Sequence, residues 1–161
     1  MLQTKSFLIL VFIVFILAGC QNNNPYGTIP VSGTVKLDGK PIEGVRITFS
    51  PISAGNMEAF GMTTQNGNFV LSTGGAKFGG GAQPGEYNVT FSKTDIEDKY
   101  KTKPELSAEN NEKYGDSALP FIPPLIHIIP EKYGSSQTSD IAPVKVEKGK
   151  ENIFNFELST K

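Results

Sequence analysis

VSGTVKLDGKPIEGVRITFS, residues 31–50, contains two runs with a period of two. In the first, Val31, Gly33, Val35 and Leu37 share one face, while Ser32, Thr34 and Lys36 take the other. In the second, Val45, Ile47 and Phe49 alternate with Arg46 and Thr48. Alternation of this kind marks a strand with one face in a core and one in water. Between the runs, Asp38-Gly39 has the chemistry of a tight turn and Pro41 ends it, so the two runs are expected to form a β-hairpin.

The same period recurs to the end of the chain. FGMTTQNGNFVLST, residues 60–73, holds Asn66-Gly67, a pair suited to a type I′ turn because both of its central residues need positive φ. Beyond it, Phe69 and Leu71 are expected to point inward. Pro84-Gly85 introduces a run with Tyr87, Val89 and Phe91 inward. In APVKVEKGKENIFNFEL, Val144 and Val146 precede a turn at Lys148-Gly149-Lys150, followed by Phe154, Phe156 and Leu158 on the inner face. About seven short strands punctuated by turns predict an all-β fold, a seven-stranded antiparallel Greek-key sandwich in one domain.

Two stretches interrupt the pattern. Residues 74–83, GGAKFGGGAQ, read as a flexible surface loop. Residues 94–128 exceed an ordinary connection and read as a long insertion loop. Its charged first half has room for a helical turn or two over Pro104–Lys113, and its apolar, proline-punctuated second half is expected to lie extended against the sandwich.

VSGTVKLDGKPIEGVRITFSP, TTQNGNFVLST, PGEYNVTF, IIPEKYGSSQTSD and VEKGKENIFNFEL occur in the order found in carboxypeptidase regulatory-like domain proteins. More narrowly, they resemble the short lipoproteins of planctomycetes and related bacteria. The resemblance spans Ile29 to Leu158 and implies a transthyretin-like (prealbumin-like) sandwich used as a non-catalytic folding, binding or surface module. The long insertion departs from the family pattern.

The N-terminus sets the expected address. After Lys5, residues Phe7–Leu17 form an unbroken apolar run of eleven, within the range of a signal peptide and short of the roughly 20 that span a bilayer. Leu17-Ala18-Gly19-Cys20 follows and resembles the lipobox of bacterial lipoproteins. That resemblance implies a helical signal peptide over 1–19, cleavage before Cys20, a diacylglycerol on its thiol and an acyl group on its new amine. Residues 20–28 are then a lipidated polar tether, and 29–159 the sandwich. Gln21, in place of an aspartate, favours the outer membrane in a Gram-negative cell, facing periplasm or exterior. Two or three acyl chains hold a protein firmly where one holds it marginally.

Little else in the sequence points to chemistry. With 15 basic and 16 acidic residues there is no polycationic surface for nucleic acid. One histidine, His127, and one cysteine make no Cys/His metal cluster, and His127 reads as a half-buried residue on an extended apolar segment. No G-x-S-x-G elbow accompanies it. Hydroxyisourate hydrolases, which share the transthyretin-like fold, use several histidines and a C-terminal Tyr-Arg-Gly-Ser, whereas this chain ends in ELSTK. The glycine run lacks a P-loop ending, and Asp95, Glu97 and Asp98 lack calcium-loop spacing. Asn88-Val89-Thr90 matches a glycosylation sequon inside an expected strand.

The loop aromatics Tyr100, Tyr114 and Tyr133, with Phe78, are the candidate ligand contacts, since such rings stack on sugars or on partner proteins. For Tyr133 the stronger expectation is packing against the sandwich edge. The expected protein is a non-enzymatic, lipid-anchored module of the bacterial envelope, without a cofactor beyond its own lipid. It would meet an envelope protein or glycan, with a surface carbohydrate-binding module as the alternative.

Overall fold

The computed structural model describes residues 24–101 and 123–161. The protein is all-β, with a single helical turn, α1 (Asp98–Lys101), and a 3₁₀ turn at Glu131–Gly134 among these residues. No helix among them is long and apolar enough to cross a membrane. The strands are β1 (Val31–Leu37), β2 (Lys40–Pro41), β3 (Arg46–Pro51), β4 (Ala59–Met62), β5 (Asn68–Val70) and β6 (Ser72–Thr73). They continue with β7 (Gly85–Ser92), β8 (Thr94–Ile96), β9 (Leu125–His127), β10 (Val144–Val146) and β11 (Asn152–Leu158). Among the described residues there are thus eleven strand segments in place of the seven expected, because several are pieces of two or three residues.

One sheet has the order β11-β1-β2 with β5 also on β1, and a second runs β10-β7-β3-β4-β6. Their inner faces meet in a core whose members follow the alternation. Val31, Val35, Val45, Ile47, Phe49, Phe69, Leu71, Tyr87, Val89, Phe91, Val146, Phe156 and Leu158 are all buried. Phe156 is the hub: its ring lies 4.9 Å from Phe91 and 6.3 Å from Phe49 on the opposite sheet, and 6.2 Å from Phe69 on its own. Each such ring contributes on the order of 1.5–3 kcal/mol through burial.

Pairing differs from expectation at three places. The hairpin between β1 and β3 does not form. Asp38 (φ 48°) and Gly39 (φ 79°) reverse the chain as a primed turn, but across that turn β1 meets only the short β2, and β3 crosses to the other sheet. Pro41, which has no N–H to donate, and Gly44, with φ 70°, redirect the chain there. Period-two alternation states which side chains go inward, and two strands facing each other satisfy it as well as two side by side.

Second, Asn66-Gly67 is not a type I′ turn, because only Gly67 has positive φ (74°). The turn spans Thr64–Gly67, with the Gly67 N–H donating to the Thr64 carbonyl at 2.8 Å. Its partner is β1, where the Val35 N–H donates to the Gly67 carbonyl at 2.9 Å. The chain that follows pairs first with β1 through β5, then with β4 through β6, switching sheets at Leu71.

Third, the fold is not antiparallel throughout. β1 and β11 pair in parallel over their whole length, from Val31↔Asn152 to Leu37↔Leu158. A parallel pair needs a crossover, and here the entire second sheet serves as one.

The sandwich therefore has two distinct ends. At one end, where β1 and β11 begin, residues 24–28, expected to be tether, belong to the fold. Thr28 is buried, and Ile29 bridges to Ala82. At the other end, Asp38 accepts hydrogen bonds from the Thr160 hydroxyl (2.6 Å) and N–H (3.2 Å), which hold its carboxyl below the usual carboxylate range. The insertion leaves β7 at this end and is zipped at its base by β8 and β9, paired from Thr94↔His127 to Ile96↔Leu125. The expected helix over Pro104–Lys113 lies outside the described residues. After β9, Ile129 turns into the core, as expected of an apolar segment, whereas Leu125 and Ile126 are exposed.

Gly33 of β1 lies against the backbone of β11 with no space for a side chain. A Cβ there would overlap the Phe154 carbonyl oxygen and lie 2.9 Å from the Phe69 ring. Gly33→Ala is expected to lower stability by about 1–3 kcal/mol. Gly134→Ala, where no atom lies within 4 Å, should stay within about 0.5 kcal/mol of the parent. Urea midpoints of the two variants make the comparison.

Candidate interaction surface

The end of the sandwich from which the N-terminal segment leaves is built by three loops and held by side-chain bonds. The Gln83 amide joins two of them: its oxygen accepts from the Met57 N–H at 2.8 Å, and its nitrogen donates to the Tyr26 carbonyl at 3.0 Å. Buried Tyr87 donates to the Gln83 carbonyl at 2.8 Å, and burial pushes its phenol above the usual value, so it stays neutral. Asn56 donates to the Pro84 carbonyl at 2.9 Å. Each buried polar atom here has a partner, which makes this end a frame for what stands on it.

Residues 74–83, read as flexible from their glycines, form a hydrogen-bonded loop. The Ala76 N–H donates to the Thr73 carbonyl (3.0 Å), and the Thr73 hydroxyl donates to the Gly81 carbonyl (2.9 Å). At the tip, the Gly80 N–H donates to the Lys77 carbonyl at 2.8 Å, closing a four-residue turn with Phe78 and Gly79 at its centre. Gly79 supplies φ 70° at the third position, the positive value that makes this a type II turn and that glycine adopts freely. Phe78 takes the second position and stands out from the surface, 85% exposed. At Gly75 a Cβ would come within 2.6 Å of the Tyr26 hydroxyl, so the glycine leaves room for the hydroxyl end of that ring against the loop.

An open groove of about 460 Å³ runs between this loop and residues 24–30, with Asn24, Tyr26, Lys77 and Phe78 among its walls. A second hollow of about 230 Å³ lies on the other side of Phe78, lined by Phe60, Met62 and Val70. Their exposures of 44%, 57% and 41% make an apolar patch continuous with Phe78. In β4 and β5, Phe60, Met62 and Val70 take the outward parity opposite Ala59 and Phe69, where a water-facing strand ordinarily carries polar residues.

Of the candidate contacts singled out from the sequence, the described ones, Phe78, Tyr100 and Tyr133, are not brought together. Tyr133 is no ligand contact: it is 2% exposed, its ring meets Phe91 edge-on at 6.5 Å, and its hydroxyl accepts the Ser159 N–H at 2.9 Å. Tyr100 is half-buried in α1, at the opposite end from Phe78. Tyr114 and the lipobox residues Leu17, Ala18, Gly19 and Cys20 lie outside the described residues.

His127, expected to be half-buried, is exposed on β9, with Nε2 3.1 Å from a Glu131 carboxylate oxygen. Asp95 and Asp98 both pair with Lys101, at 2.6 and 3.0 Å. The hydrogen bond from Lys101 holds the Asp95 carboxyl below its usual range. No group of three or more metal-ligating side chains occurs among the described residues. Asn88 sits mid-strand in β7.

Sequence reading missed Tyr26, which it assigned to the tether, and the patch of Phe60, Met62 and Val70. The parity of β5 placed Val70 outward, but nothing in the sequence linked it to Phe78, eight residues on and across a loop.

No family model and no curated protein sequence matches the chain. Among solved structures, a candidate adhesin from Bacteroides ovatus aligns over 88% of this chain and 49% of its own, at 18% identity and a TM-score of 0.41. A 9R-lipoxygenase from Cyanothece aligns over 88% of this chain and 18% of its own, at 10% identity and a TM-score of 0.35. The chain thus spans about half the length of the first and under a fifth of the second.

The assignment of Tyr133 to the core is tested by stability. Tyr133→Ala is expected to cost about 3–5 kcal/mol in urea unfolding, and Tyr133→Phe, which loses only the hydroxyl bond, about 1 kcal/mol. A surface ring would give near-zero values for both.

Proposed function

We propose that the protein is a lipid-anchored, non-catalytic β-sandwich module of the bacterial cell envelope, of the carboxypeptidase regulatory-like, transthyretin-like kind with Greek-key connectivity. The observation that carries the reading is Leu17-Ala18-Gly19-Cys20 placed directly after an apolar run of eleven residues. The fold supports it by the way the chain enters. Asn24 lies at one end of the sandwich, four residues after Cys20, so an acylated cysteine would hold that end at a membrane. Function on this reading is contact with an envelope partner, made by surface side chains on a framed loop end. Metabolic labelling with radioactive palmitate tests the anchor. The parent chain should incorporate label and Cys20→Ala should not, and equal labelling of both would sink the reading.

A second reading is favoured by the groove beside Tyr26. With Phe78 on one wall and Tyr26 on the other, it offers two aromatic rings to a sugar. On a glycan array, binding by the purified protein would be expected to fall at least tenfold in Tyr26→Ala. Signal no higher than that of a heat-denatured control would dispose of the carbohydrate role.

A further inference from the structure

The anchor and Phe78, the tip of the apolar patch, sit at the same end of the molecule. Cys20 and Asn24 are separated by three residues, so their Cα atoms are at most about 14 Å apart even in a fully extended chain. Asn24 lines the same groove as Phe78. Phe78 in turn borders the hollow formed with Phe60, Met62 and Val70. A lipid on Cys20 therefore brings this patch within reach of the bilayer surface, while β8, β9 and α1 lie at the far end of β7. That strand alone is eight residues long, roughly 26 Å at strand rise.

From this juxtaposition we propose that the loop tip at Phe78 docks on the lipid surface, with its ring in the boundary between headgroups and acyl chains. The inference rests on the anchored reading above and adds an orientation to it. A phenylalanine 85% exposed at the tip of a closed turn gains by leaving water. Exposed Lys77, the preceding residue, places a cation where anionic headgroups lie, the pairing of apolar insertion and basic flank typical of interfacial contacts. Phe60, Met62 and Val70, further up the side of the sandwich, form the shoulder behind that tip.

The chain has no tryptophan, so a single substitution supplies a clean fluorescent reporter. The full lipidated protein, carrying either Phe78→Trp or Leu125→Trp, would be reconstituted into phosphatidylethanolamine–phosphatidylglycerol vesicles, with or without brominated acyl chains. Leu125 is the control because it is exposed on β9, at the opposite end. Docking is supported if the Phe78→Trp emission moves to shorter wavelength and brominated chains quench it roughly twofold or more, with Leu125→Trp unaffected. If the protein floats with the vesicles but both reporters stay solvent-like, or both are quenched alike, docking is overturned and the anchor stands. If the chain does not float and mass spectrometry finds Cys20 without acyl groups, the anchor fails and docking falls with it. Protection of the Phe78→Trp emission by a glycan, with no effect of brominated lipid, overturns docking and assigns the patch to sugar.

Discussion

The parallel pairing of β1 with β11 is the constraint on which the rest of the molecule depends. It joins Val31 to Asn152 and keeps register to Leu37 and Leu158, so nearly the whole fold is enclosed between its two strands. Two parallel neighbours cannot be joined by a tight turn, and the intervening chain has to travel out and return in the same direction. It does so by building the second sheet. Gly33 leaves no room for a side chain beside the Phe154 carbonyl, and Phe156, on β11, reaches across to Phe49 and Phe91. Closing so large a loop costs chain entropy, which the shared aromatic core offsets.

The same pairing gives the sandwich two unlike ends. Because β1 and β11 run together, the N-terminal segment and the turn before β11 emerge at one end, and the C-terminus emerges at the other. The far end is closed by polar ties, Asp38 to Thr160 and Tyr133 to the Ser159 backbone, which hold down residues that would otherwise fray. At the near end, Gln83, Asn56 and Tyr87 satisfy the backbone of the loops and leave apolar side chains outside. A rigid frame under an exposed apolar tip is the arrangement expected of a contact surface.

How much of this was legible from the chain differs from residue to residue. The core was, because a side chain on a strand has only two directions to choose from, and Val45, Ile47, Phe49, Tyr87, Val89 and Phe91 each took the inward one. Pairing was not. Asp38-Gly39 formed its turn and Asn66-Gly67 formed a different one, because the second lies against β1 and the position of its glycine is set by the Val35 backbone. Tyr133 was expected to pack and does, but the partners that bury it, Phe91 and Ser159, are distant in sequence and only the fold shows them.

By itself the sequence determined that this is a β-protein with a particular inner face, and it supplied the motif from which a lipid anchor is inferred. Both are local matters, read over spans of a few residues. Tertiary structure alone decided which strands became neighbours, that the two terminal strands run parallel, and that Phe78 shares one end with Asn24. Those outcomes depend on contacts between residues tens to more than a hundred positions apart. They are set by how two sheets fill the space between them, and no local period encodes that.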